Sequence, residues 1–356
     1  MTRLAEPLSA WTTLGVGGPA ERFHLAESEA ELIARVREAD EAGRALTVLG
    51  GGSNVVVADA GVAGDVVRVA HRGVSLATDE HAQLVLLTAA AGEPWDEVVA
   101  RAVHEGLAGV ECLSGIPGLV GATPVQNVGA YGQEVADTIS SLRVWDRADR
   151  TVRSLGPAAC DFRYRDSAFK RDASRRYVVL DVTYALRAGP PEAPRYGELS
   201  RAMAGRAPTL ATLRETVLSL RRAKGMVLDP NDPDSRSAGS FFTNPVVPRE
   251  LADEIEALVR QGDASVSMPR FAAPEGAVKL AAGWLIERAG VKKGERLGRA
   301  AVSRVHALAL TNPEGDASAQ EVLALAASVA ERVRARFGVT LRPEVVLLGA
   351  RHPLWA

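Results

Sequence analysis

From Ser28 to Gly43, Leu32, Ile33, Val36 and Ala39 recur at the spacing that gathers side chains on one face of a helix, with Ser28 as cap and Gly43 as stop. The pattern then shortens to a strand at Leu46–Leu49, a small-residue turn at Gly50–Asn54 and a second strand at Val55–Ala58. Further β material is expected at Val66–Val69 and Leu84–Ala89, and a helix opened by Pro94 runs towards Gly106 with Trp95, Val98, Val99, Ala102 and Val103 on its apolar side. Strands are expected again at Ser141–Asp146 and Tyr177–Leu186, where β-branched and aromatic residues cluster.

The second half changes character. Helices are expected at Pro208–Ala223, Glu250–Arg260 and Lys279–Ala289, with a polar turn at Asp229–Asp234. Ser318 and Glu321 form a capping-box pair before a helix ending at Phe337-Gly338, and Val339–Leu348 reads as a last strand. This switch from strand-rich to helix-rich sequence predicts an α+β chain with a boundary near residue 200.

Composition narrows the class. With 42 basic against 44 acidic residues among 356, the net charge of -2 lacks the footprint of a dedicated nucleic-acid binder. Cys112 and Cys160 are too few for a disulfide framework, and the six scattered histidines show no metal-ligand spacing. No predominantly apolar run reaches the roughly 18–20 residues of a membrane span (the uncharged stretch 112–133 is interrupted by prolines and polar residues), and the start lacks the pattern of a signal peptide, so a soluble, cytoplasmic, multi-domain protein is expected. Only five basic residues are lysine (Lys170, Lys224, Lys279, Lys292 and Lys293), and there are five asparagines. Against that background an isolated Lys or Asn carries more information than an Arg.

Five segments could carry chemistry. Gly50–Asn54 is either a nest of backbone N–H groups for a phosphate or a glycine-rich turn between two strands; no Lys-Ser/Thr follows, so it is not a Walker loop. Residues 112–132 are rich in Gly and Pro, and their bare backbone with Ser114, Thr123, Gln126 and Asn127 suits a flat cofactor with a polar edge. In Tyr164–Lys170, Arg165 either grips a carboxylate or pairs with Asp166. In Ser237–Pro245, Ser240 stands beside two phenylalanines, either as a proton donor or as a turn residue; neither Asp nor His is near for a triad. In Leu341–Leu348, alternation puts Glu344 on the face of Val346 and Leu348, where a carboxylate needs a partner such as Arg342 or a function.

Together these segments resemble the UDP-N-acetylenolpyruvoylglucosamine reductases, the MurB flavoenzymes of peptidoglycan precursor synthesis, from about Leu8 to Gly349. The likeness is carried by Gly-Gly-Ser-Asn at 51–54, Ile-Pro-Gly and Gln-Asn-x-Gly-Ala-Tyr-Gly within 116–132, Tyr-Arg-Asp-Ser-x-Phe-Lys at 164–170, Ala-Gly-Ser-Phe-Phe-x-Asn-Pro at 238–245, Lys-Leu-Ala-Ala-Gly-Trp-Leu-Ile at 279–286 and Pro-Glu-Val at 343–345. Tyr196-Gly197-Glu198-Leu199 is similar to the substrate-contacting tyrosine loop of the family's longer form.

The resemblance implies an α+β, vanillyl-alcohol-oxidase/PCMH-type fold. Its FAD-binding region would be 1–206 in two subdomains of about 1–65 and 66–206, its substrate-binding domain 207–338, and residues 339–356 a final strand and tail returning to the FAD region. It implies FAD as cofactor, NADPH as co-substrate and a UDP-sugar as substrate, in a monomer with no bound metal, nucleic acid or membrane insertion. With no His or Cys in 45–60, FAD is expected to be non-covalent. By the same resemblance Arg165, Ser240 and Glu344 are catalytic. Gly50, Gly51, Gly52, Ser53, Asn54, Ser114, Gly115, Ile116, Pro117, Gly118, Gly121, Ala122, Thr123, Gln126 and Gly129 face FAD. Tyr131, Tyr164, Tyr196, Lys224, Asn244 and Lys279 hold the substrate. The rival readings are a flavin oxidase or dehydrogenase of the same fold acting on a small alcohol or hydroxy acid, and a sugar-nucleotide sensor that does no chemistry.

Overall fold

The first predicted helix forms as Glu29–Glu41, with the Ser28 hydroxyl accepting the Glu31 N–H at 3.1 Å and Leu32, Val36 and Ala39 fully buried. It packs on a four-stranded sheet in the order Thr2–Pro7, Pro19–Ala26, Val62–Val69, Leu46–Leu49, in which Val62–Val69 runs parallel to both neighbours. A second sheet is antiparallel and orders Thr151–Leu155, Ile139–Asp146, Tyr177–Ala188, Leu84–Ala90 and Val74–Asp79. Leu87, Leu142, Val144, Leu180 and Val182 from this sheet share one core with Val67 from the first, with Leu32 and Val36 of the Glu29–Glu41 helix and with Trp95, Val98 and Val99 of the Trp95–His104 helix. Each such aliphatic side chain contributes roughly 1.5–3 kcal/mol on full burial.

The described residues are 2–262 and 265–349, so the tail expected at 350–356 lies outside them. This computed structural model divides the chain into two compact units: Met1–Glu6, Ala20–Gly52 and Val62–Val227 form one, and Pro7–Pro19, Ser53–Gly61 and Leu228–Ala356 the other. The expected boundary at 206/207 and this one at 227/228 differ for a physical reason. The Leu210–Arg222 helix buries Leu213 and Val217 against Cys112, Leu199 and Met203, and Arg214 holds Asp96 at 2.6 and 2.9 Å, all within the first unit.

In the second unit, one sheet orders Ser237–Ser240, Ala309–Thr311, Ala300–Val302 and Arg296–Leu297, and another orders Val246–Val247, Val278–Leu280 and Arg270–Ala272. The helix Ala319–Phe337 has the predicted capping box, and Asp59 adds to it by accepting the N–H groups of Ala319 and Gln320 at 2.7 and 2.9 Å. Gly338 ends it at φ 68°, the left-handed conformation that suits glycine.

Two sequence expectations are corrected. Lys279 lies on a strand, not a helix, because Val278–Leu280 is paired on both sides; the helix is Ala282–Arg288. The last strand is only Val346–Leu348, parallel to Val55–Val57. Pro343 has no N–H to offer a ladder, and Val339, Leu341 and Val345 are buried as core residues. Glu344 therefore does not sit on a regular buried strand; it is half-buried and Val346 is exposed. Gly50–Asn54 lies between two strands as expected, and these belong to different sheets: Leu46–Leu49 pairs with Val62–Val69, whereas Val55–Val57 pairs with Val346–Leu348. Among the described residues no helix is long and apolar enough to cross a membrane.

Candidate active site

In the first unit, two glycine-rich segments meet backbone to backbone. A Cβ placed on Gly51 would lie 2.6 Å from the Gly118 Cα, and one on Gly50 would lie 3.4 Å from the Ala122 Cβ. Only the absence of a side chain at Gly51 permits this approach. Gly50, Gly51, Ile116, Pro117, Gly118 and Gly121 are partly accessible and Ala122 is exposed, so a flat ligand would meet mostly main chain. These residues fit the demands of a dinucleotide such as FAD, which needs close backbone approach at its pyrophosphate and ring edges.

The polar side chains of this stretch face inward. Ser114 is fully buried and donates to the Glu111 carbonyl at 2.6 Å, and Thr123 pairs with the Tyr184 hydroxyl at 2.7 Å. Asn127 is buried at φ 44° and donates to Glu134 and to the Arg163 carbonyl, each at 2.9 Å. At Ser114 and Thr123 a cofactor would therefore meet main chain. Gly115 is fixed by its N–H to Asp96 at 2.6 Å.

Arg165 does not take Asp166 as its partner, because Asp166 pairs with Arg171. Its guanidinium reaches the carbonyls of Asn127, at 3.3 Å, and of Gly129, lies 3.7 Å from Glu134, and sits 5.2 Å from the Tyr164 ring centroid. Its backbone has φ 53°, which costs a residue with a Cβ roughly 1–2 kcal/mol. Lys170 braces it, donating to the Arg165 carbonyl at 3.0 Å and to Gln126 Oε1 at 2.9 Å.

Three substrate candidates converge in the same unit. The Tyr131 and Tyr196 rings meet edge to face at 5.7 Å, and Lys224 Nζ is 5.9 Å from the Tyr131 centroid. Lys224 also pairs with Glu198 at 2.6 Å. Burial pushes the Tyr131 phenol up to about 12, with the Glu198 charge adding to it and Arg221 opposing. Burial and the same carboxylate raise Tyr196. Sequence reading missed Glu198 and Glu134. Glu198 directly follows Tyr196-Gly197, so its position was the available signal, while Glu134 carried none.

In the second unit, Ser240 ends its strand half-buried, after Gly239 at φ 77°. Phe241 and Phe242 follow, each 1% exposed, with ring centroids 5.1 Å apart. The Glu344 N–H donates to the Phe241 carbonyl at 2.8 Å, so the carboxyl-bearing residue is a neighbour of the serine segment. The Asn244 carboxamide caps the Ala282–Arg288 helix by accepting the Ala282 N–H at 2.9 Å. Lys279 is paired with Val246 and sits with Nζ 5.9 Å from the Phe271 centroid. Thus Ser240, Asn244, Lys279 and Glu344 belong to one unit, and Arg165, Tyr131, Tyr164, Tyr196 and Lys224 to the other. Ser53 and Asn54 follow the crossing from the first unit to the second, and the Asn54 carbonyl accepts the Val346 N–H at 2.9 Å. Among the described residues no group of three or more His, Cys, Asp or Glu side chains is arranged to hold a metal.

Residues 20–156, which include both glycine-rich segments, match the profile of an FAD binding domain, and the class is that of flavin-dependent oxidoreductases. Residues 230–348 match the C-terminal domain of UDP-N-acetylenolpyruvoylglucosamine reductase. The chain is 50% identical over 349 residues to the UDP-N-acetylenolpyruvoylglucosamine reductase of Thermobifida fusca, covering 96% of this chain and 97% of that one. It is 52% identical over 351 residues to that of Saccharopolyspora erythraea, covering 96% and 94%. The crystal structure of the Thermus caldophilus reductase superposes with a TM-score of 0.64 at 26% identity, covering 98% of each chain. The chain belongs to the UDP-N-acetylenolpyruvoylglucosamine reductase family.

Proposed function

We propose that this flavin-dependent reductase converts UDP-N-acetylglucosamine enolpyruvate to UDP-N-acetylmuramate, a step of peptidoglycan precursor synthesis, and that Arg165, Ser240 and Glu344 carry the chemistry. FAD, when bound, would carry a hydride equivalent from NADPH to C3 of the substrate alkene. The chain's task is to make that electron-rich alkene accept it. As charge builds on the enol ether and its carboxylate, the Arg165 guanidinium stabilises it, and a protonated Glu344 donates a hydrogen bond to the carboxylate oxygens. The Ser240 hydroxyl then gives its proton to C2. The buried Phe241 and Phe242 rings beside it keep water from competing for that proton.

Tyr131, Tyr164, Tyr196, Lys224, Asn244 and Lys279 orient the sugar nucleotide. In this reading FAD is non-covalent. The FAD-holding region runs on to residue 227, and residues 228–338 help to bind the sugar nucleotide. The protein acts as a monomer.

The observation that carries the reading is the main-chain bond from the Glu344 N–H to the Phe241 carbonyl at 2.8 Å, which makes the half-buried Ser240 and Glu344 neighbours beside two buried phenylalanines. The test is anaerobic stopped-flow. NADPH should bleach the flavin, the enolpyruvyl sugar nucleotide should restore its colour, and UDP-N-acetylmuramate should appear by mass spectrometry. Rapid oxygen consumption when simple alcohols reduce the oxidised flavin, with no response of the reduced flavin to the sugar nucleotide, would support the oxidase reading instead.

A further inference from the structure

Lys170 is one of only five lysines, and none of the roles above uses it. Its ammonium nevertheless joins two parts of the candidate site. One bond goes to the main-chain carbonyl of Arg165 at 3.0 Å, the other to Gln126 Oε1 at 2.9 Å. Arg165 needs such a brace because its φ of 53° is unfavourable for any side chain with a Cβ. The rest of the cradle is built from the same residues. The Ser167 hydroxyl anchors the Lys170 turn to the Val125 carbonyl at 2.8 Å, and Asn127 supplies a carbonyl to the Arg165 guanidinium. The ammonium thus fixes both the backbone that launches the guanidinium and the amide of the neighbouring cofactor-facing segment.

We propose that Lys170 is the positioning residue for Arg165: by tying the Arg165 carbonyl to Gln126, it holds the guanidinium where the substrate carboxylate is gripped. The inference rests on the assignment of Arg165 to that carboxylate. An ammonium suits the post because it is a compact donor with three N–H bonds, able to serve two oxygens at once.

The test separates binding from general stability. In Lys170→Met, the dissociation constant of the enolpyruvyl sugar nucleotide, measured by calorimetry, should rise about tenfold or more, as for loss of a charge-assisted hydrogen bond. Flavin reoxidation by that substrate should slow by a similar factor, while flavin reduction by NADPH changes less than about twofold. Lys170→Arg, which keeps the charge and two donors, should recover most of the loss. In an Arg165→Ala background, Lys170→Met should add nothing further, since the two residues act as one. Equal slowing of both half-reactions, or effects that multiply in the double variant, would overturn the proposal. If Arg165→Ala binds and turns over substrate normally, the assignment of Arg165 fails and takes this inference with it. If Arg165→Ala is impaired and Lys170→Met is not, only the inference fails. Should Lys170→Met not fold, Lys170→Gln, which keeps a neutral donor, carries the same expectations at intermediate size.

Discussion

Glu344 hangs its backbone on Phe241: the N–H of one donates to the carbonyl of the other at 2.8 Å. The neighbouring bond, Thr243 N–H to the Arg342 carbonyl at 3.0 Å, continues the pairing on the far side. Ser240, immediately before Phe241, is in turn matched with Ala309 on the adjacent strand. The serine and the glutamate therefore reach one place from opposite ends of the C-terminal half because main-chain bonds bring their segments together.

Removing the hydroxyl should reveal its role. In Ser240→Ala, NADPH should reduce the flavin at the wild-type rate, and reoxidation by the enolpyruvyl substrate should slow about 10²–10⁴-fold, the usual contribution of a placed proton donor. Single-turnover absorbance of the two half-reactions reads this directly. The same loss in both would show that the serine supports structure, not proton transfer.

Gly51→Ala probes the cofactor surface. Its methyl would sit 2.6 Å from the Gly118 Cα, and main chain cannot swing aside as a side chain can. Such overpacking costs typically about 1–3 kcal/mol. The purified variant should retain clearly less FAD, read from its visible absorption against its protein absorption. Full retention of FAD would mean that the two glycine segments do not form the cofactor surface.

Much of the fold was legible because its signals are local. The Ser28 and Ser318 caps, the glycine stops and the 3.6-residue apolar spacing all concern neighbours in sequence. What escaped is set by distant partners. Lys279 looks helical until Val246 and Phe271 pair with it on both sides. Val339, Leu341 and Val345 alternate like a strand, yet they serve the core. Lys224, Asn244 and Lys279 stood out because Lys and Asn are scarce in this chain, whereas Arg165, Ser240, Glu344 and the tyrosines were carried by the motifs of the resemblance. Glu134 and Glu198, which orient Arg165 and Lys224, were not visible, because a lone carboxylate in a chain with 44 acidic residues carries no mark of its partner.

Lys224 should act on binding more than on turnover. It sits between the Glu198 carboxylate, 2.6 Å away, and the Tyr131 ring. Lys224→Met should raise KM for the sugar nucleotide by roughly tenfold or more with a smaller change in kcat, the pattern of lost ground-state binding. Glu198→Gln should show a weaker version, because the lysine keeps its charge and loses only its tether. Steady-state kinetics at several substrate concentrations distinguish these outcomes. A fall in kcat at unchanged KM for Lys224→Met would reject a binding role.

The acid limit of the first unit should depend on Asp65. This carboxylate is 1% exposed and meets Arg22 at 2.9 Å, His24 at 2.7 Å and Arg44 at 2.5 Å. Burial alone would raise its pKa, but the hydrogen bonds from Arg44, His24 and Arg22 outweigh it and hold the carboxyl below its ordinary range. Between that folded value and the unfolded value of about 3.9, the unfolded chain binds a proton that the native one does not, so stability rises with pH. The contribution is complete above about pH 4–5 and is lost as pH falls through the folded value. Because Arg22 and Arg44 are about one-third exposed and water can solvate them, Asp65→Asn should cost about 2 kcal/mol at neutral pH, below the usual loss for a fully buried pair. That corresponds to a fall in melting temperature of roughly 4–8 °C. Scanning calorimetry at pH 7 should show this gap, and the gap should narrow below pH 4 as the wild-type carboxyl takes up its proton. A gap that stays constant down to pH 3 would mean that Arg22, His24 and Arg44 do not act through the ionised carboxylate.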